Sequence, residues 1–199
     1  MKKRFIFIFG LFFLFACEKE EARTTKKDYS TFLAYNVNSL FGVLENKSIS
    51  WSFGSNFQGI SGYENGSGVC DPTDPTRTVL FGLTSEGGGN TYFRFYSPVY
   101  NATTDFENIF ELGEKRLGNF KTDFYLSIFI DNTLYESSRN LSNQIEILKK
   151  QELRSTDGFV RYRVWFRLNA ILKPICGCEK PDLKLTDGML LAEFFGVKL

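Results

Sequence analysis

Polar and apolar residues alternate most regularly between residues 159 and 172 of the chain. An alternation that continues for more than a dozen residues is typical of a β-strand, because successive side chains of a strand point to opposite faces of its sheet. We therefore predict a long strand with one buried face and one polar face. The buried face would carry Val160, Tyr162, Val164, Phe166, Leu168, Ala170 and Leu172, and the polar face Arg161, Arg163, Trp165, Arg167 and Asn169.

The rest of the chain after residue 30 consists of short apolar segments separated by residues that favour turns. This arrangement is typical of strands joined by turns. Residues 144–153 fit both a helix and a strand, and a strand is favoured because Asp157-Gly158 would then form a hairpin turn into the long strand. The other predicted strands are residues 31–37, 40–44, 48–53, part of 54–68, 78–83, 92–96, 124–130 and 183–195, the last with a turn or bulge at Asp187-Gly188.

One short helix is expected between Thr104 and Phe110, because Thr104 and Glu107 have the spacing of a capping box. Segments with the periodicity of longer amphipathic helices are nearly absent. We therefore predict that residues 30–199 form a single all-β domain, an antiparallel β-sandwich or open barrel of roughly eight to ten strands.

Residues 1–16 differ from this domain in composition. The cationic start Lys2-Lys3-Arg4 precedes an uncharged apolar run from Phe5 to Ala16. This order is that of a secretory signal peptide. The run has twelve residues, whereas a membrane-spanning helix needs about 20, so a signal peptide is favoured over a transmembrane anchor.

The end of this leader, Leu14-Phe15-Ala16-Cys17, resembles the lipobox of bacterial lipoproteins, although Phe15 is bulkier than usual at its position. The resemblance implies cleavage before Cys17 and the attachment of lipid, such as palmitate chains, to Cys17. The alternative is an ordinary signal peptide that ends at Ala16 beside an incidental cysteine. In the lipoprotein interpretation, residues 17–29 comprise the lipidated Cys17 and a charged linker.

The charged sequence after Cys17, Glu18-Lys19-Glu20-Glu21, resembles the surface-export tag of Bacteroidota lipoproteins. The tag implies a position in the outer membrane, facing the cell exterior. The alternatives are the periplasmic face and a plain solvated linker. The domain also resembles small surface lipoproteins of Bacteroidota, in the strand that ends near Leu172 and in the segment 185–188. This resemblance implies no activity.

Composition excludes several classes of function. Loss of Lys2, Lys3 and Arg4 with the leader lowers the 24 basic residues to 21, against 23 acidic residues, for a formal net charge of −2. This charge argues against nucleic acid as a partner, because nucleic-acid binding needs a basic surface. The chain has no histidine, which excludes Ser-His-Asp and Cys-His catalysis. We predict no catalytic residue and no cofactor.

The cysteines suggest a disulfide. With Cys17 assigned to lipid, Cys70, Cys176 and Cys178 remain, and an exported protein meets oxidising conditions. Pairing of Cys70 with Cys176 or Cys178 is favoured, since a Cys176–Cys178 ring would be strained. One thiol is then left over. A zinc site built from three thiolates is the less favoured alternative, and no metal is predicted.

The polar faces of two predicted strands are the candidate ligand-binding residues. If the two strands face a common cleft, their arginines would bind carboxylate or sulfate groups and their aromatic rings would stack on sugars or apolar groups. The alternative is an ordinary solvent-exposed sheet face. The candidates are Tyr92, Arg94 and Tyr96 on one strand and Arg161, Arg163, Trp165 and Arg167 on the other.

These observations predict a lipid-anchored binding or accessory lipoprotein whose ligand is a glycan, a peptide or an envelope partner. One alternative is a structural subunit of an outer-membrane complex. A carboxylate-dependent hydrolase is a further alternative, because Glu107, Glu111 and Glu114 lie close together in sequence, but it would need two acids across a cleft.

Overall fold

A computed structural model describes residues 29–55, 57–65, 76–86, 90–101, 105–138, 143–156, 159–175 and 179–197. The predicted signal peptide, Cys17, Cys70, Cys176 and Cys178 lie outside these residues, as does the Asp157-Gly158 turn. The described strands are β1 (Ser39–Leu44), β2 (Lys47–Ser52), β3 (Phe57–Asn65), β4 (Thr76–Ser85), β5 (Tyr92–Tyr96), β6 (Tyr100–Asn101), β7 (Gly113–Lys115), β8 (Tyr125–Ile130), β9 (Thr133–Ser137), β10 (Gln144–Thr156), β11 (Phe159–Pro174) and β12 (Leu183–Val197).

These strands form one antiparallel sheet in the order β2-β1-β12-β11-β9-β8-β5-β4-β3, with β10, β7 and β6 attached beside this path. The all-β prediction is confirmed, and the described part of the sheet has twelve strands rather than eight to ten. The sheet nearly closes into a barrel, because its last strand, β3, returns to β12. At this seam the Ser61 hydroxyl donates a hydrogen bond of 2.6 Å to the backbone oxygen of Glu193.

The long predicted strand is β11, at the centre of the sheet. One edge of β11 pairs with β12, and the other pairs first with β10 and then with β9. The even-numbered residues 160–172 are all buried, while Arg161, Arg163, Arg167 and Asn169 on the opposite face are partly exposed. The alternation in the sequence therefore identified the two faces of this strand correctly.

The predicted bulge in the last strand is present. Between its pairs with Leu168 and Ala170, β12 contains one more residue than β11, and Asp187 adopts a φ of 51°. The Asp187 amide donates to the Asn169 side chain at 2.8 Å. Gly188 is required here, since a Cβ would lie 2.6 Å from the Leu168 carbonyl oxygen. The bulge bends β12 and thereby helps the sheet to curl.

The interior of the barrel combines aliphatic side chains with a cluster of aromatic rings. Phe95 lies 5.1 Å from Phe166 and 5.5 Å from Phe124, measured between ring centroids. The predicted short helix is a single 3₁₀ turn, Asn108–Phe110, which buries Phe110 in this core. The capping residue Thr104 lies outside the described residues.

The prediction of a strand at residues 31–37 is wrong. Residues Ser30–Leu33 form one turn of helix, α1, and the following residues are irregular. The segment lies across the outer face of the sheet, where Lys149 donates to the Leu33 carbonyl oxygen at 3.2 Å. Its apolar rings pack on Phe41 rather than in a strand ladder, with Tyr35 at 5.2 Å. No helix among the described residues is long and apolar enough to cross a membrane.

Candidate functional site

The outer face of β5, β8 and β9 carries three rows of side chains that run across the strands. In the middle row, Arg94 lies opposite Ser127, and Ser127 lies opposite Glu136. A row on one side pairs Tyr92 with Phe129, and a row on the other pairs Tyr96 with Tyr125. A polar row is therefore flanked on both sides by aromatic rings.

These rows line an open depression of about 490 Å³, which we call the tyrosine trough. Ser127 is only 4% exposed, and its small side chain leaves the floor of the trough open. The side chains that define the trough are Tyr92, Arg94, Tyr96, Phe120, Tyr125, Ser127 and Glu136.

The two aromatic walls are held by ring packing. On one side, Tyr92 stacks on Phe129 with a centroid distance of 5.1 Å and an interplanar angle of 8°. On the other side, Phe120 comes from the loop before β8 and meets Tyr96 at 5.1 Å and Tyr125 at 5.3 Å, both edge to face. Packed rings hold a fixed shape, so the trough is formed before any ligand arrives.

The polar groups of the trough differ in their hydrogen-bond and ion-pair partners. The Tyr125 hydroxyl donates a hydrogen bond to the Glu136 carboxylate; burial, followed by this bond, raises the pKa of Tyr125 well above its usual value. Tyr125 is thus a neutral hydrogen-bond donor at physiological pH. Arg94 lies with its guanidinium carbon 4.8 Å above the Tyr92 ring and is exposed. It makes no ion pair with any other residue that the structure describes.

The arginines of β11 are, by contrast, engaged within the protein. The carboxylate of Glu193, a residue only 5% exposed, accepts hydrogen bonds from both Arg161 and Arg163, with the Arg163 Nη2 at 2.6 Å. Arg167 pairs with Glu146 at 2.5 Å and also donates to the hydroxyl of Tyr29 at 3.0 Å, an interaction that raises the pKa of Arg167.

Trp165 lies on the same face of β11 but is only 1% exposed. The ammonium group of Lys149 sits 4.4 Å above its ring, which is a cation–π contact. Its indole is therefore covered by the protein itself and offers no ring face to a ligand.

The two groups of predicted binding residues do not share a cleft, because β8 and β9 separate β5 from β11 in the sheet. Tyr92, Arg94 and Tyr96 line the tyrosine trough. Arg161 lines a separate cavity of about 330 Å³ at the seam between β3 and β12, and Arg167 lines one of about 140 Å³ beside β7 and β10.

Sequence reasoning missed Phe120, Tyr125, Ser127 and Glu136. A signal for two of them was present, because Tyr125 and Ser127 occupy the positions that alternate with the apolar residues of β8. Glu136 was missed because strand β9 was not predicted.

The carboxylates offer little support for hydrolysis. Glu107, Glu111 and Glu114 are all exposed, and Glu136 is the one acid that lines the trough among the described residues. Glu114 and Glu146 are cross-strand neighbours on β7 and β10. They lie side by side on one sheet rather than across a cleft, whereas glycoside hydrolysis uses two acids that flank the bond to be broken.

No family model, curated protein or solved structure matches the chain.

Proposed function

We propose that this chain is a lipid-anchored lipoprotein of the outer membrane, facing the cell exterior, that binds a glycan in the tyrosine trough. The observation that carries the proposal is the trough itself, an open depression of about 490 Å³ on the outside of the barrel. It combines two walls of packed aromatic rings with a polar row across its floor. Clefts of this size with a few placed polar groups are typical of ligand sites.

A glycan fits this arrangement because a sugar ring is amphipathic. Its C–H faces pack well on aromatic rings, whose faces are partly negative. Its hydroxyl groups need donors and acceptors, and the trough supplies donors from Arg94 and Ser127 and acceptors in Glu136 and the Tyr125 oxygen. A purely apolar ligand would leave these polar groups desolvated and unpaired, which is costly.

A peptide bound as an added strand fits less well. Such binding needs a strand edge with free backbone groups. The three strands that carry the trough are each paired on both edges, since β4 flanks β5, β5 and β9 flank β8, and β8 and β11 flank β9. A peptide would have to bind through side chains alone.

The membrane anchor in this proposal rests on Cys17 and the lipobox-like residues before it. Two or three acyl chains give stable membrane attachment, whereas one chain is marginal. The charged linker then lets the domain extend from the lipid surface.

Replacement of Cys17 by serine tests the anchor. Because serine cannot form the thioether, Cys17→Ser should yield a protein without lipid that is lost from the membrane fraction. Intact mass and fractionation of cells that express the full-length chain measure both effects. The control is Ser30→Ala, at an exposed position in α1. This variant should keep both the lipid and the membrane attachment. Membrane retention and a mass that still includes the acyl chains in the Cys17 variant would contradict the lipid assignment.

Removal of either aromatic wall tests the binding site. Tyr92→Ala and Phe120→Ala should each weaken glycan binding about tenfold, since a buried aromatic contact in an interface contributes more than about 1 kcal/mol. A glycan array first identifies soluble polysaccharides that bind the full-length lipoprotein. Calorimetry with the lipoprotein in detergent micelles then measures the affinity of each variant for them.

The matched control is Tyr35→Ala. Tyr35 is 42% exposed and packs on Phe41, away from the trough. Its replacement should leave affinity unchanged. If the trough variants bind as tightly as the Tyr35 variant and the wild type, the tyrosine trough is not the site.

A further inference from the structure

Arg94 gives the tyrosine trough a chemical preference that goes beyond glycan binding. We infer that the glycan is acidic, and that a carboxylate on its sugar ring binds the guanidinium of Arg94. This inference rests on the proposed function, because it assigns the ligand class to the same site.

The first observation is the setting of Arg94 in the sheet. Its cross-strand neighbours are Gly82 on β4 and Ser127 on β8, which have no long side chain to cover or pair with it. The guanidinium is held over the Tyr92 ring, so it lies on the trough wall and remains exposed.

Two arginines of β11 have the opposite setting. Arg163 has Glu193 as its cross-strand neighbour, and Arg167 has Glu146. Both arginines form ion pairs with these acids. On β5 the corresponding neighbours are glycine and serine, so the charge of Arg94 has no acid opposite it.

The acid of the trough does not neutralise Arg94 either. Glu136 lies two strands away, beyond Ser127, which at a strand spacing of about 4.8 Å places the two backbones roughly 10 Å apart. Its carboxylate already accepts the hydrogen bond of Tyr125. Over such a distance, interactions between exposed charges are weakened by salt and water. Arg94 therefore presents a positive charge that the trough leaves available.

The two ends of the polar row then orient the ligand. A planar guanidinium binds a carboxylate through two parallel hydrogen bonds, which are among the strongest in proteins. Glu136 is an acceptor and suits sugar hydroxyl groups. A uronic acid would place its carboxylate at Arg94, its hydroxyls towards Glu136 and its ring between the Tyr92 and Phe120 walls.

The test uses acidic oligosaccharides and their methyl esters, which keep the shape of the sugar but remove its charge. The probes are oligogalacturonate, oligomannuronate and oligoglucuronate, each paired with its ester and measured by calorimetry against the full-length lipoprotein in micelles. At least one acid should bind about tenfold or more tightly than its ester. Its affinity should fall as sodium chloride is raised, while that of the ester should not.

Two variants assign the preference to Arg94. Arg94→Ala should bring acid and ester within about twofold of each other. Lys47→Ala, which also removes one positive charge but from the exposed first residue of β2, should keep the full preference. Retention of the preference in Arg94→Ala would overturn the inference.

The outcomes separate this inference from the proposed function. Neutral glycans that bind, with affinity lowered by Tyr92→Ala, would support the tyrosine trough as the binding site. If in addition no acid binds more tightly than its ester, the inference of an acidic ligand is wrong. If no glycan responds to Tyr92→Ala or Phe120→Ala, both are wrong.

Discussion

Replacement of Phe194 by alanine should lower the free energy of unfolding by about 3–5 kcal/mol. Phe194 is fully buried, and its ring lies at the centre of the barrel core. Four other phenylalanines surround it, with Phe110 at 4.8 Å, Phe166 at 6.0 Å and Phe81 and Phe95 at 6.3 Å between ring centroids. Alanine would remove these contacts and leave a cavity that rigid neighbouring rings cannot fill. The measurement is urea denaturation followed by tryptophan fluorescence.

The next residue of the same strand is the control. Phe195 points to the outer face, is 37% exposed and contacts the guanidinium of Arg161 at 4.8 Å. Phe195→Ala should cost less than about 1 kcal/mol, the range of an exposed cation–π contact. Because a domain is stable by only about 5–15 kcal/mol, the two variants should differ visibly in their denaturation midpoints. Equal losses would mean that the barrel interior is not the main core.

The buried and exposed faces of the regular strands could be predicted from the sequence, because the alternation of polar and apolar residues indicates which side of a strand is buried. Residues 159–172 and 92–96 were placed correctly for this reason. Residues 31–37 were not, although they are rich in strand-forming residues. Their rings pack on Phe41 outside the sheet, and packing of this kind overrides local preference.

The candidate site could be predicted only in part, because strand register joins residues that are distant in sequence. Tyr92, Arg94 and Tyr96 were recognisable as a polar and aromatic face of β5. That this face becomes a trough depends on Tyr125 and Ser127 standing opposite it and on Phe120 packing over it. The pattern of residues within one strand does not predict how that strand pairs with its neighbours.

Strand register also explains why the arginines of β11 form ion pairs, whereas Arg94 forms none with another residue that the structure describes. Arg163 is separated from Glu193 by 30 residues in the chain, yet the pairing of β11 with β12 makes them direct neighbours. The sequence shows three arginines in β11 and one in β5. Only the sheet shows which of them already have an acid beside them.

Replacement of Glu193 by alanine should destabilise the fold by about 3 kcal/mol, the low end of the cost of breaking a buried ion pair. Its carboxylate is bound by Arg161 and Arg163 together, and without it two adjacent guanidinium groups would face each other unpaired. The cost is at the low end because the Arg161 side chain is 41% exposed and the Arg163 side chain 19%, so water can solvate part of the freed charge. Urea denaturation at neutral pH measures the loss.

Two further variants separate the ion pairs from side-chain packing. Glu146→Ala removes the partner of Arg167 where both side chains are more exposed, at 30% and 42%, and should cost less than about 1 kcal/mol. The triple replacement Arg161→Leu, Arg163→Leu and Glu193→Leu removes every charge of the cluster at once. It should be more stable than Glu193→Ala, because a buried charge is costly mainly when its partner is missing. A triple variant as unstable as Glu193→Ala would show that packing of the glutamate stem, rather than the unpaired arginines, causes the loss.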